Sequence, residues 1–365
     1  MRAAVLERAG EAIGVFEDVV IAEPCAGQVR VRVSHCGVCH SDLSIADGVF
    51  PAPLPIVLGH EAAGVVDAVG AGVVGLEPGD SVVLTPAPPC GRCYWCVRGE
   101  AALCVDAAGI MTNTFADGTT GLSRGGRAVY RGLNVGAFAE YVVTSANGAV
   151  KVARDVPLDV ACVIGCAVQT GVGAVLNTAR VPEGATVLVM GLGGIGLATV
   201  QGARLAGAAR IFVSDPLPAR RKIAESFGAT DLLDPNAEDV AARVREATVV
   251  GADYAFETAG RASLVSVGLS ATRSGGTVVC VGAPPITEKI EIAPAALFTV
   301  TEKKLVGCVL GSSNSLREIP RLVALWRAGR LDLEALITAR RPLAEIELAF
   351  ADLRAGRGVR TVLSI

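Results

Sequence analysis

Between residues 185 and 312 short apolar runs alternate with helical stretches, an order that predicts strands of one parallel α/β sheet. ATVLVM (185–190) reads as a buried strand of β-branched and apolar residues. It runs straight into GLGGIG (191–196) and the helical stretch LATVQGARLAGA. RIFVSD then ends on Asp215, and ADYAFETAG (252–260), GGTVVCVGAP (275–284) and KLVGCVLGS (304–312) read as later strands. RLVALWRAGRLDLEALI (321–337) and IELAFADLRAG (346–356) carry the spacing of amphipathic helices. The most apolar run, VACVIGCAVQTGVGAVL (160–176), contains Gln169 and Thr170 and is shorter than the roughly 20 residues of a membrane span. It reads as a core segment.

The glycines of GLGGIG have separate tasks. Gly191 allows a tight turn, Gly193 lets the backbone approach a pyrophosphate, and Gly196 permits close helix–strand packing. The helix start offers free N–H groups to phosphate charge. Asp215, about twenty residues on, suits the ribose hydroxyls of NAD and repels the 2′-phosphate of NADP. Arg220 and Arg221 are cations nearby that also suit a phosphate. A glycine turn in an ordinary α/β unit is the bland alternative.

Composition narrows the setting. The 365 residues suffice for two domains, and 51% hydrophobic against 19% charged residues is a globular profile. A net charge of -3 gives no basic footprint, so no nucleic-acid partner is expected. The opening MRAAVLERAGEAIG is interrupted by charge and has no signal-peptide core, so a cytoplasmic protein without membrane attachment is expected.

That setting bears on CGRCYWCVRGEAALC (90–104), with four cysteines spaced C-x2-C-x2-C-x7-C. In a reducing compartment such clusters more often hold metal than form disulfides. Cys90, Cys93, Cys96 and Cys104 form a candidate closed, structural zinc site, while Gly91 and Gly99 give the loop room to fold. Two disulfides or idle thiols are the alternative. Only three histidines occur, His35, His40 and His60. Cys39, His60 and Cys166 together match the three ligands of a catalytic zinc with an open fourth position, although only the fold can join positions so far apart.

CGVCHSD (36–42), the GHE-x2-G-x5-G signature at 59–70, the four-cysteine lobe, GLGGIG and GRGVRTVLSI occur together in this order. In these motifs the chain resembles the zinc-containing medium-chain alcohol dehydrogenases over nearly its whole length. The resemblance implies a mostly β, GroES-like catalytic domain (1–167 and 310–365, with the zinc lobe at 90–104). It also implies a central NAD-binding Rossmann domain (168–309), a doubly wound parallel sheet, with the active-site cleft between the two. Cys39, His60 and Cys166 match the catalytic zinc ligands, and Glu61 matches an acid close behind the metal. Asp42 matches the acid that orients the ligand histidine. Ser41 matches the hydroxyl that hydrogen-bonds the substrate alcohol. His40 and Arg360 match contacts to the coenzyme pyrophosphate, and Thr170 lies near the nicotinamide in the family.

Those roles imply zinc-dependent interconversion of primary alcohols and aldehydes with NAD, and two zinc ions per chain. Ser44 stands where many members end their proton relay on histidine, so turnover is expected to rise toward alkaline pH or to use the ribose and water. The long loop Val105–Val135 is similar in length to that of the dimeric branch, so a homodimer is expected. Thiol-dependent formaldehyde dehydrogenases are close relatives. Ala108 replaces the arginine that binds glutathione in them, and Phe50 with prolines replaces their acids, so glutathione is disfavoured but another small thiol is not. Phe50, Pro86, Leu103 and Ala283 match pocket positions and favour an uncharged alcohol, aliphatic or aromatic. A non-catalytic nucleotide-binding relative is the reading from another class. Loss of a zinc ligand would mark it, and all three are present.

Overall fold

A computed structural model describes residues 1–292 and 294–365. The chain divides into two compact units, Met1–Cys166 with Ser313–Ile365, and Ala167–Ser312.

The first unit is a GroES-like assembly around a curled sheet. Its central strand, Gln28–Gly37 (QVRVRVSHCG), alternates so that Val29, Val31 and Val33 turn into the core. Glu61–Val69 and Tyr141–Ser145 pair antiparallel with it, and so does the late strand Arg360–Ser364. Ser81–Leu84 (SVVL), buried at every position, pairs with Glu61–Val69. A second sheet joins Ala3–Leu6, Gly14–Phe16, Ile56–Val57 and Tyr130–Arg131. The rings of Phe138 and Phe350 meet edge to face in the core, 6.2 Å between centroids.

The second unit is a Rossmann-type layer. Six parallel strands lie in the spatial order Asp231–Leu233, Arg210–Ser214, Thr186–Met190, Ala252–Glu257, Thr272–Cys280 and Lys304–Gly307. The order reverses between Thr186–Met190 and Ala252–Glu257, the switch point beside which such sheets bind nucleotides. Helices Gly194–Leu205, Pro218–Ser226, Val240–Thr248 and Ala262–Ala271 connect the strands.

Several boundaries differ from the pattern-based expectation. The strand expected from Gly275 begins at Thr272, because a register shift absorbs the residues between Thr272 and Thr277, with Gly275 at φ 72°. The helix expected from Arg321 begins at Ser315, before Pro320. The Asn314 side chain caps it by accepting from the Leu316 N–H, so the proline falls inside rather than marking the start. It ends at Arg327, and Glu334–Leu336 of that pattern is a 3₁₀ turn leading into the strand Ile337–Pro342. The stretch 105–135 is not an unstructured loop: it holds the helix Gly109–Thr112 and the strands Leu122–Arg124, Arg127–Ala128 and Tyr130–Arg131. Among the described residues no single helix is long and apolar enough to cross a membrane.

Candidate active site

Cys39 lies just after the central strand and caps the helix His40–Ala46, while His60 directly precedes the strand Glu61–Val69, which Glu61 opens. Cys166 follows the buried turn Cys162–Gly165. The fold brings one potential ligand atom from each of Cys39, His60, Glu61 and Cys166 within 4.8 Å of one another. Asp42, fully buried, ties two of these segments together. One carboxylate oxygen accepts from the Gly59 N–H at 2.9 Å and from His60 Nδ1 at 3.1 Å, and the other accepts from the Cys39 N–H at 3.2 Å. With Nδ1 donating, Nε2 is the atom of His60 free to meet a metal. Ser41 Oγ lies 3.9 Å from the Cys39 sulfur, and His40 is exposed at the helix start.

Both Glu61 carboxylate oxygens are buried and take no hydrogen bond from protein, although Arg360 Nε lies 3.3 Å from one of them. Arg360 is itself buried and donates from Nη1 to the Val38 carbonyl at 2.7 Å. Burial lifts the Glu61 carboxyl to about 7, opposed chiefly by the Arg360 charge. The hydrogen bond with Cys166 holds the Cys39 thiol well below its usual range, and the same bond pushes Cys166 up. Burial pulls His60 down, but the Asp42 and Cys39 charges outweigh it and raise the imidazole well above its usual value. Two sulfurs, an imidazole and an orphaned carboxylate at this separation are a donor set that fits zinc.

Cys90, Cys93, Cys96 and Cys104 likewise converge within 4.8 Å. Backbone N–H groups of Cys93 and Asp106 point at the sulfurs of Cys90 and Cys104, at 3.3 and 3.4 Å, and the Cys90 N–H reaches Cys104 Sγ at 3.2 Å. Backbone donors pull the Cys93 thiol down to about 6, whereas burial lifts Cys104 to about 12. The sulfurs of Cys93 and Cys104 stand 3.8 Å apart, far beyond an S–S bond of about 2.0 Å. Gly91 and Gly99 adopt φ of 75° and 80°, so the loop turns where only glycine turns cheaply. Four thiols leave no open position, and the lobe fits a structural zinc.

In the second unit Gly191 has φ 91°, and a Cβ there would press on Ala259 at 2.8 Å. At Gly196 a Cβ would stand 1.8 Å from the Gly191 carbonyl oxygen, whereas one at Gly193 meets nothing within 4 Å. The open space over Gly193, at the start of the helix Gly194–Leu205, is the kind of cradle a pyrophosphate fills. Asp215 is buried, and its oxygens accept the Leu192 and Leu217 N–H groups, each at 2.8 Å. Arg221 is committed to the Asp215 carbonyl at 2.5 Å and to Asp234 at 3.0 Å, and Arg220 is half-buried on the helix Pro218–Ser226. Thr170 is buried in the helix Ala167–Gly173.

Residues 25–154 match the alcohol dehydrogenase GroES-like domain, and residues 194–325 match the zinc-binding dehydrogenase family. An alcohol dehydrogenase zinc-binding domain protein from Burkholderia ambifaria is 37% identical, with 100% of this chain and 98% of that one covered and a TM-score of 0.94. The chain belongs to the zinc-containing medium-chain alcohol dehydrogenase family. Another member, benzyl alcohol dehydrogenase from Acinetobacter calcoaceticus, is 31% identical over 100% of this chain and 99% of its own, with a TM-score of 0.94. A zinc-binding dehydrogenase from Sinorhizobium meliloti bound to NADP is 30% identical, with coverages of 100% and 99% and a TM-score of 0.82.

Two residues of this family member escaped the sequence reading. A Cβ on Gly37 would lie 2.5 Å from Glu61 Oε2, so the strand opposite the carboxylate must be bare. A glycine inside a strand is the available signal for such a close approach. Thr258 Oγ1 donates within the coenzyme loop, lying 2.6 Å from the Gly191 carbonyl and 3.0 Å from that of Met190. A threonine after a strand carries no distinctive pattern.

Proposed function

We propose that this dehydrogenase interconverts uncharged primary alcohols and aldehydes using NAD, with zinc held by Cys39, His60 and Cys166. The observation that carries the reading is the convergence of these donors, remote in sequence, within 4.8 Å. A bound zinc supplies the Lewis acidity that lowers an alcohol's pKa, and NAD accepts the hydride. Asp42 fixes the His60 tautomer and ring orientation. Ser41 positions the alcohol and takes up its proton. Glu61, held by Arg360, stands behind the metal position. Ser44, a poor base near neutral pH, would not complete a proton relay from Ser41, so turnover should rise toward alkaline pH unless bound coenzyme or water takes the proton onward. Gly191, Gly193 and Gly196 shape the pyrophosphate cradle, with Thr170 of the same unit beside the nicotinamide.

Asp215 supports NAD over NADP: both carboxylate oxygens are anchored by backbone N–H groups, each keeps a lone pair for a ribose hydroxyl, and the charge opposes a 2′-phosphate. Benzyl alcohol dehydrogenase as a relative supports including aromatic alcohols among the substrates. We place the enzyme in the cytosol, where clustered thiols stay reduced, with one structural and one catalytic zinc. A homodimer is supported by the terminal position of Lys304–Gly307 in its sheet, near exposed Leu297, Val300 and Val309.

The test is NADH formation with aliphatic alcohols, benzyl alcohol, and formaldehyde with or without small thiols. Turnover of free alcohols, lost in Cys166→Ser, is expected. Activity restricted to formaldehyde plus a thiol would replace this reading with thiol-dependent aldehyde oxidation.

A further inference from the structure

Within the first unit a cavity of about 250 Å³ is bounded by Gln28, Ser145, Arg131 and the 114–117 segment. None of its lining residues is a candidate metal ligand or coenzyme contact. The Arg131 side chain is 2% exposed and stacked over the Phe115 ring, 3.7 Å from its centroid. It donates from Nη2 to the Asn134 carbonyl. Among the described residues this is the only hydrogen bond from a guanidinium that carries five N–H donors, and no carboxylate oxygen lies within 4.0 Å. Burial draws its proton affinity down to about 9 with no opposing charge, yet it stays cationic at neutral pH.

A buried cation without a counter-ion is costly unless something supplies the anion. Other groups around the cavity favour the same kind of ligand. Ser145 Oγ is buried and has no hydrogen-bond partner. Gln28 turns its amide oxygen to the Cys25 N–H at 2.9 Å, and its amide nitrogen has no acceptor among the described residues. These three residues line one space. Phe115 adds an apolar surface suited to a hydrocarbon portion.

Two acids also line the cavity. Asp117 is exposed and accepts from the Thr119 N–H and hydroxyl, at 2.9 and 2.7 Å, while Asp106 is half-buried. They disfavour a dianion such as phosphate far more than a single carboxylate. The volume lies just below the roughly 300–1,000 Å³ usual for drug-sized ligands.

We propose that this cavity is a second ligand site, separate from the metal cluster, which holds a small organic monocarboxylate between the Arg131 guanidinium, the Ser145 hydroxyl and the Gln28 amide, with the hydrocarbon part against Phe115. The carboxylate replaces the missing counter-ion and gives Ser145 its acceptor. Planar bidentate pairing with a guanidinium is the geometry carboxylates prefer.

The test is calorimetric titration of the zinc-loaded protein, saturated with coenzyme, using benzoate and butyrate as probes and inorganic phosphate as control. The carboxylates should bind and phosphate should not displace them. Ser145→Ala should weaken benzoate about fivefold while alcohol turnover stays unchanged, because the oxygen removed has no protein partner. Arg131→Gln should weaken it at least about thirtyfold. Because Arg131 is buried and its replacement endangers folding, Ser145→Ala decides the matter alone if that variant does not fold.

Absence of carboxylate binding up to tens of millimolar would overturn the proposal. So would binding unchanged by Ser145→Ala, including competitive inhibition at the metal cluster, or equal displacement by phosphate.

Discussion

Asp42 accepts from Cys39, Gly59 and His60 at once, and so sets the spacing of two candidate metal donors from a single buried carboxylate. Asp42→Asn keeps the size but turns an amide N–H toward at least one of these donors. Zinc affinity at the catalytic site should fall by about 10- to 100-fold, measured by competition with a chromophoric chelator. Unchanged affinity would mean that the histidine is oriented by something else. At this scale the sequence was legible in residue types and silent on distances. Cys39, His60 and Cys166 stood out as candidate ligands, yet only chain folding joins positions on a helix cap, a strand start and a distant turn. Gly37 was invisible because its importance is a 2.5 Å encounter with a carboxylate on the neighbouring strand. Arg131 and Ser145 gave no signal in the sequence, since a missing counter-ion has no sequence signature.

At the scale of elements, the strand–glycine–helix unit was the most readable, because a β-branched run, a spaced glycine set and an acid obey local rules. The start of the helix Ser315–Arg327 was less so: Pro320 looks like a boundary, and the cap at Asn314 lies beyond it. The glycine loop makes a paired prediction. Gly196→Ala places a methyl 1.8 Å from the Gly191 oxygen and should destabilise the second unit, lowering its melting temperature. Gly193→Ala meets no protein atom, so it should melt as the parent does while binding NADH at least about tenfold more weakly by fluorescence titration.

The neighbouring strands carry a pH-sensitive tie. Arg210 makes two hydrogen bonds to Asp231, at 2.7 and 2.9 Å, and holds that carboxyl below its ordinary value of 3.8. The stabilisation is therefore complete above pH 3.8 and disappears as pH falls through the lowered value. Arg210→Gln should cost about 0.5–1 kcal/mol at pH 7 by denaturant unfolding, with the gap to the parent closing in acid. A gap that persists in acid would assign the loss to packing.

Over the whole molecule, the two units and their sheet types follow from alternation patterns spread over long stretches, which is why the fold class was clearer than any single boundary. The metal count also belongs to this scale. Cys104→Ser should reduce bound zinc from two ions to one per chain, change the emission of Trp95 in the lobe, and lower thermal stability before it alters the ranking of alcohol substrates. Atomic absorption, fluorescence and a substrate panel measure these in turn. Zinc content unchanged at two would dismiss the lobe as a metal site.

The interleaving of the units has a consequence in time. All of Ala167–Ser312 leaves the ribosome as one uninterrupted stretch, free to close its parallel sheet while the rest of the chain is still being made. The first unit cannot, because Arg360–Ser364 must return to pair beside Gln28–Gly37, the strand that leads into Cys39. Arg360 also brings the charge that faces Glu61. During translation the parallel-sheet unit is therefore free to mature first, and the cluster around Cys39 and Glu61 stays incomplete until Arg360–Ser364 has emerged.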